Sequence, residues 1–254
     1  MGSDVRRPVF AANWKMHKTA SEAAAFVRDL ASAANPSAAE VIVAPAFTAL
    51  AATAYAARGT FIMVAAQDVY FEREGAFTGE VSAVMIRDAG ASHVIVGHSE
   101  RRRLFGETDE WVNRKARAAI SAELIPIICI GEMLAEREAG ETLAVLDRQI
   151  RAALDGLTAD QIATALVAYE PVWAIGTGKN ATPAEADEAH RHIRSRVRQW
   201  FGGAPAEACR ILYGGSVKPE NIRDLIGLPD VDGALVGGAS LDVRSFGEII
   251  QRAQ

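Results

Sequence analysis

The sequence predicts an α/β protein, a (β/α)8 barrel of eight parallel strands with an outer ring of helices. Strand-then-helix units recur eight times along the chain, about one every 30 residues. The strands are short and uniformly apolar, so both faces need cover, as in parallel sheets with helical crossovers. The chain has 254 residues, near the usual length of such a barrel. A doubly wound open sheet shares the local pattern, but eight units close naturally on themselves. No Pro/Gly/Ser-rich linker interrupts the run, so residues 1–254 are expected to form one catalytic domain.

The first apolar run is Val9-Phe10-Ala11-Ala12, followed by a helix that Thr19-Ala20-Ser21-Glu22 caps and that ends near Asn35. Val41 to Ala44 is the second strand, with an alanine-rich helix to Gly59, and Phe61 to Ala65 the third. A long loop, Gln67 to Val81, precedes a short helix from about Ser82 to Gly90. Val94 to Val96 forms the fourth strand, with a helix from near Thr108. Pro126 to Ile130 forms the fifth, with a helix from about Glu138 to Leu154. Ala165 to Ala168 is the sixth; its helix opens at Thr182-Pro183-Ala184-Glu185, a capping box with proline at the first helical position. Arg210 to Tyr213 is the seventh, with a helix after Pro219. Gly233 to Val236 is the eighth, with a helix from about Asp242.

Composition narrows the function. Half the residues are hydrophobic and 23% are charged, which excludes a disordered chain. A net charge of −5 argues against nucleic acid as partner but allows an anionic substrate at a locally positive site. No apolar run approaches bilayer length, and Met1 to Arg7 lacks the apolar centre of a secretory signal, so no membrane association and a cytoplasmic location are expected. Cys129 and Cys209 lie far apart, without metal or bridge spacing. His190 and His192 stand two apart in a helix and face different ways, so they do not form a metal pair.

In such a barrel the segments after the strands share one face, where active sites lie. The first strand delivers Asn13-Trp14-Lys15, the fourth Gly97-His98-Ser99-Glu100-Arg101. The sixth delivers Glu170 and the apolar, glycine-bearing stretch Pro171-Val172-Trp173-Ala174-Ile175-Gly176-Thr177-Gly178-Lys179. The seventh delivers Gly214-Gly215-Ser216 and the eighth Gly237-Gly238. A carboxylate at the mouth of a buried strand meets low dielectric, which raises its proton affinity and suits it to act as a base. Solvated loops seldom carry as much apolar bulk as Pro171, Trp173 and Ile175, so that stretch reads as a lid. A helix start at Ser99 would disfavour a charged ring at His98. Lys15 is one of only five lysines beside 22 arginines, which sets it apart from the surface charge. Glycine loops at helix starts can hold a phosphate through backbone N–H groups.

Taken in order, Asn13-Trp14-Lys15, Gly97 to Arg102, Tyr169 to Gly178, Tyr213 to Ser216 and Val236-Gly237-Gly238 resemble the triosephosphate isomerase family over essentially the whole chain. The resemblance implies a cofactor-free, metal-free exchange of D-glyceraldehyde 3-phosphate and dihydroxyacetone phosphate through a cis-enediolate. It assigns Glu170 as base, His98 as a neutral electrophile with Asn13 beside it, Lys15 as electrostatic clamp and Glu100 as a second carboxylate near Lys15. Gly176, Ser216, Gly215, Gly237 and Gly238 would grip the phosphate. Ile175 and Leu235 would close over the base, with Tyr213 and Ser216 holding the shut lid. Thr78, flanked by Phe77 and Gly79, would reach a twin subunit in a homodimer. The chain departs from the family pattern at Asp68, Ala83, Glu123 and Asn180-Ala181. Arg101 and Arg102 read as structural ion-pair partners. A four-carbon ketose phosphate as substrate, a Schiff base on Lys15 and a catalytically retired scaffold stand as the other readings.

Overall fold

The computed structural model describes residues 6–33, 39–175 and 181–253. Among them eight parallel strands pair in sequence order and close into a barrel. The strands are β1 (Val9–Asn13), β2 (Glu40–Ala44), β3 (Ile62–Ala66), β4 (His93–Val96), β5 (Ile125–Ile130), β6 (Leu166–Tyr169), β7 (Arg210–Tyr213) and β8 (Gly233–Val236). Seam closure depends on Gly233. Val9 lies opposite it, and a Cβ there would sit 1.9 Å from the Val9 carbonyl oxygen. Only glycine lets β8 meet β1 at that distance.

The period-two alternation of the strands divides the core. Val9, Ala11, Ile42, Ala44, Ala65, Ile95, Ile127, Cys129, Leu166, Ala168, Leu212 and Leu235 pack together in one cluster inside the barrel. The intervening residues, among them Phe10, Val43, Val96, Ile128 and Val167, pack outward against the helices. Burial on both faces is why the strands read as apolar runs.

The helices are α1 (Ala20–Ala33), α2 (Leu50–Ala57), α3 (Ala83–Asp88), α4 (Ser99–Phe105), α5 (Asp109–Ser121), α6 (Leu134–Glu138), α7 (Thr142–Leu154), α8 (Ala159–Thr164), α9 (Pro183–Phe201), α10 (Gly203–Ala208), α11 (Ile222–Ile226) and α12 (Val243–Arg252). The Thr182–Glu185 capping box opens α9 with Pro183 in its first turn. Asp242 caps α12 through the Ser245 N–H. Two details depart from the sequence reading. The helix expected from about Glu138 to Leu154 begins four residues later, as α7 at Thr142, because Gly140 takes φ +73° just before it; the short α6, which ends at Glu138, was not anticipated. The short α8 and α10 precede β6 and β7 without having been anticipated; each is six residues, too short for a clear apolar period. No helix among the described residues is long and apolar enough to cross a membrane.

Asp68 is an ion-pair centre, with Lys115 at 2.6 Å and Arg101 at 2.9 Å. Arg102 pairs with Asp109 and donates to the Gly97 carbonyl, as the structural role expected for it requires. Ala83 opens α3 behind a capping Ser82.

Two predictions follow from backbone and burial. Glu123 ends the α5 turn at φ +60°, a conformation costly for residues with a Cβ. Its ion pair with Arg87 is long and exposed. Glu123→Gly should therefore stabilise the fold by about 0.5–1 kcal/mol, read as a higher midpoint of thermal unfolding. His93 and His190 are both pushed down to about 4, by burial first and then by the charges of Arg210 and Arg194 respectively. Between pH 6.5 and 4 the unfolded chain binds protons these folded rings do not. Stability is thus full above about pH 6.5 and falls toward pH 4, by up to roughly 3 kcal/mol per ring. Denaturant titrations at stepped pH measure it, and a flat profile across that window would contradict it.

Candidate active site

One mouth of the barrel holds a cavity of about 100 Å³, lined by Asn13, Lys15, His98, Glu170, Ile175, Gly214, Gly215, Ser216, Val217, Leu235, Gly237 and Gly238. The ends of β1, β4, β6, β7 and β8 therefore converge, bringing together side chains far apart in the chain.

Asn13 is the last residue of β1 and is buried. Its Oδ1 accepts the Lys15 N–H at 3.0 Å, which leaves the amide NH2 as its free donor. Lys15 is held in the left-handed region at φ 51°, a conformation costing about 1–2 kcal/mol for a residue with a Cβ. Gln67 steadies that turn by donating to the carbonyls of both Lys15 and Ala44 at 2.8 Å. The result is an ammonium aimed across the mouth, 2.6 Å from Glu100 Oε1.

Glu170 follows β6 and is buried. Its Oε1 lies 3.0 Å from His98 Nε2, and its Oε2 accepts the Ser99 N–H at 2.9 Å. Burial raises its proton affinity, but His98, the Ser99 N–H and Lys15 together outweigh that, and the net direction is down. The upward shift anticipated from burial alone is thereby corrected. The carboxylate is held ionised.

His98 caps α4, and its Nδ1 accepts the Glu100 N–H at 3.2 Å. That bond places the proton of the neutral ring on Nε2, facing Glu170. Burial lowers the ring's proton affinity, as expected, yet Glu170 first and Glu100 next raise it more, so the net direction is up. The expectation of a neutral ring took account of the backbone N–H and missed the carboxylate facing it.

Glycine matters at two places beside Glu170. A Cβ on Gly131 would lie 1.7 Å from the Glu170 carbonyl oxygen, and one on Gly214 would lie 2.9 Å from Glu170 Cγ. A Cβ on Gly215 would stand 2.3 Å from the Tyr213 hydroxyl oxygen and 3.0 Å from Pro171 Cγ, so that loop is pressed onto the start of the lid.

In the stretch read as a lid, Pro171 leads into a single 3₁₀ turn, Val172–Ala174, and Ile175 reaches the cavity that Leu235 also lines. Gly176, Thr177, Gly178, Lys179 and Asn180 lie outside the described residues. Burial pushes the Tyr213 phenol up to about 12, and its oxygen meets the Ala181 backbone at the far end of the lid.

Several contributors were not singled out in the sequence. Glu132, fully buried, accepts from Trp173 Nε1 at 2.7 Å and from the Tyr169 hydroxyl at 3.1 Å, while its carbonyl accepts the Val172 N–H. Arg137 lies over the Trp173 ring and pairs with Glu132 and Glu185. Asking what the fifth strand delivers would have found Gly131-Glu132, which leave β5 as Glu170 leaves β6. Thr78, Phe77 and Gly79 stand apart from the cavity, on an exposed loop whose Phe77 packs on Tyr70.

Fold and site together define a (β/α)8 barrel with a carboxylate, an imidazole and an ammonium round one small cavity at the strand ends. A family model described as Triosephosphate isomerase matches residues 8–253. A protein of that name from Citrifermentans bemidjiense is 55% identical over 251 residues, covering 98% of this chain and 100% of the relative. One from Moorella thermoacetica is 56% identical over 250 residues, with 98% and 100% covered. The crystal structure of triosephosphate isomerase from Bartonella henselae superposes with a TM-score of 0.88 at 40% identity, over 97% of this chain and 98% of that one. The chain belongs to the triosephosphate isomerase family.

The site predicts a linked titration. Glu170 is the largest influence raising His98, so Glu170→Gln should move the His98 titration downward in an NMR pH series. An unmoved or upward titration would show that the two side chains are not coupled.

Proposed function

We propose that the protein interconverts D-glyceraldehyde 3-phosphate and dihydroxyacetone phosphate, with Glu170 as the base. The observation that carries this reading is the meeting of Asn13, Lys15, His98 and Glu170 at one cavity beside the glycine loops after β7 and β8. The names of the relatives support a three-carbon phosphate over a four-carbon one.

Moving a carbonyl to the neighbouring carbon needs a proton taken from one carbon and returned to the next. A carboxylate held ionised does both, provided it can swing between two adjacent carbons. Glu170 leaves the Ser99 N–H and the His98 ring to do so. Its departure removes the main influence favouring a charged His98. The ring, with Nδ1 occupied by the Glu100 N–H, then presents Nε2–H as a neutral donor to the enediolate oxygens. Lys15 and the Asn13 amide supply positive charge and a second donor on the other side, with Glu100 holding the ammonium. Gly215, Ser216, Gly237 and Gly238, with Gly176 from the lid, grip the phosphate through backbone N–H groups. Ile175 and Leu235 exclude water over the base while the lid is shut, and Tyr213 and Ser216 hold it there.

The working form is a homodimer in which Thr78, with Phe77 and Gly79, inserts beside the partner's first loop. What supports this is the apolar surface after β1, β2 and β3, where Met16 is 93% exposed and Phe47, Phe77, Val84 and Met85 are also open. Two buried free cysteines accord with a reducing cytoplasm. No step of this chemistry requires a metal or cofactor.

Glu170→Asp tests the reading, because it withdraws the carboxylate while keeping its charge. In a coupled assay kcat should fall by at least about a hundredfold, with binding of 2-phosphoglycolate nearly unchanged. Near-parental turnover would remove Glu170 from the role of base.

A further inference from the structure

Gln149 is a buried carboxamide on α7, outside the set of groups that line the cavity. Its Oε1 accepts the Gly131 N–H at 2.7 Å, and its Nε2 donates to the Gly131 carbonyl at 3.2 Å. Both backbone polar groups of one residue are thus met by one side chain, which fixes the orientation of the amide.

The location gives this pair its meaning. The β5–β6 ladder runs out at Ile130 opposite Tyr169, and the Glu170 N–H makes the next bond, to the Ile130 carbonyl at 2.7 Å. Gly131 is the first residue beyond the ladder. Buried there, its N–H and C=O would be left unpaired without Gln149. The carboxamide acts as one more peptide unit, holding the end of β5 in place after its backbone partner has gone. Against that held end rests the Glu170 backbone, so closely that a Cβ on Gly131 would stand 1.7 Å from its carbonyl oxygen. On the other side, the Gly214 N–H binds the Tyr169 carbonyl at 2.7 Å, and Gly214 lies under the Glu170 side chain. The base is therefore wedged between two glycines. The next residue, Glu132, anchors Trp173 and Val172 of the lid, so the same clamp sets the start of the lid.

We infer that Gln149 is a positioning residue for the proton transfer, acting through Gly131 on the backbone of Glu170. The inference rests on the assignment of Glu170 as base. A carboxylate that must reach two adjacent carbons tolerates little displacement, whereas the phosphate is gripped by loops after β7 and β8 that Gln149 does not touch. Loss of the clamp therefore lowers turnover and spares ground-state binding.

The test compares Gln149→Met, of similar volume but without the amide, with the parent protein. Active sites are counted by titration with 2-phosphoglycolate. Expected are a fall in kcat of at least tenfold per active site and a Kd for the analogue within threefold of the parent. A kcat within threefold, or a loss in kcat matched by an equal weakening of the analogue, would overturn the inference. Where the methionine variant does not fold, Gln149→Glu, which retains an acceptor for the Gly131 N–H, is measured with the same two thresholds. Glu170→Asp run alongside separates the failures. Near-parental Glu170→Asp sinks the base assignment, whereas a crippled Glu170→Asp beside an unaffected Gln149 variant sinks the clamp alone.

Discussion

The contact on which this molecule depends is the seat of the Glu170 carboxylate. A buried carboxylate is expensive to keep ionised unless donors surround it. Here Ser99 supplies a backbone N–H and His98 a ring N–H, both just after β4, and Lys15 a nearby positive charge just after β1, while the carboxylate itself follows β6. The barrel is what makes that possible, since eight parallel strands present all their C-terminal ends on one rim. Displacing any one of these strands would loosen the seat, which is why glycines stand where backbones must touch, at Gly131, Gly214 and the seam residue Gly233.

The same seat explains why acid and ring must be treated together. Glu170 is drawn down by His98, and His98 is drawn up by Glu170, each against the direction burial would impose. In the proposed reaction the pair separates as the carboxylate turns to carbon, and the ring becomes the neutral donor the oxygens need. One movement thus changes the character of two groups. Strain contributes on the far side of the cavity, where the left-handed Lys15 is fixed by Asn13 and Gln67 so that the ammonium arrives oriented.

Much of this was legible before any coordinates. The strands declared themselves because burial on two faces leaves nothing but apolar residues, and the capping box at Thr182 marked a helix start to the residue. Asn13, Lys15, His98 and Glu170 could be found by asking what each strand carries to its end. The direction of the Glu170 shift could not, because it depends on a contact between residues of β4 and β6 ends that no local pattern encodes. Gln149 was hidden for a related reason: on a helix it reads as one polar residue among apolar ones, and only the end of the β5 ladder gives its amide a task. The five-residue α6 was missed because so short and exposed a helix shows no apolar period.

The central claim is that one carboxylate lifts a proton from carbon and returns it to the adjacent carbon, exchanging with solvent while it holds it. Isomerisation in D2O, followed by proton NMR of the product, addresses that claim most directly. The account predicts product bearing solvent deuterium on the carbon that accepts the proton. Product formed at full rate with no deuterium on that carbon would contradict the claim that the carboxylate exchanges its proton with solvent before returning it.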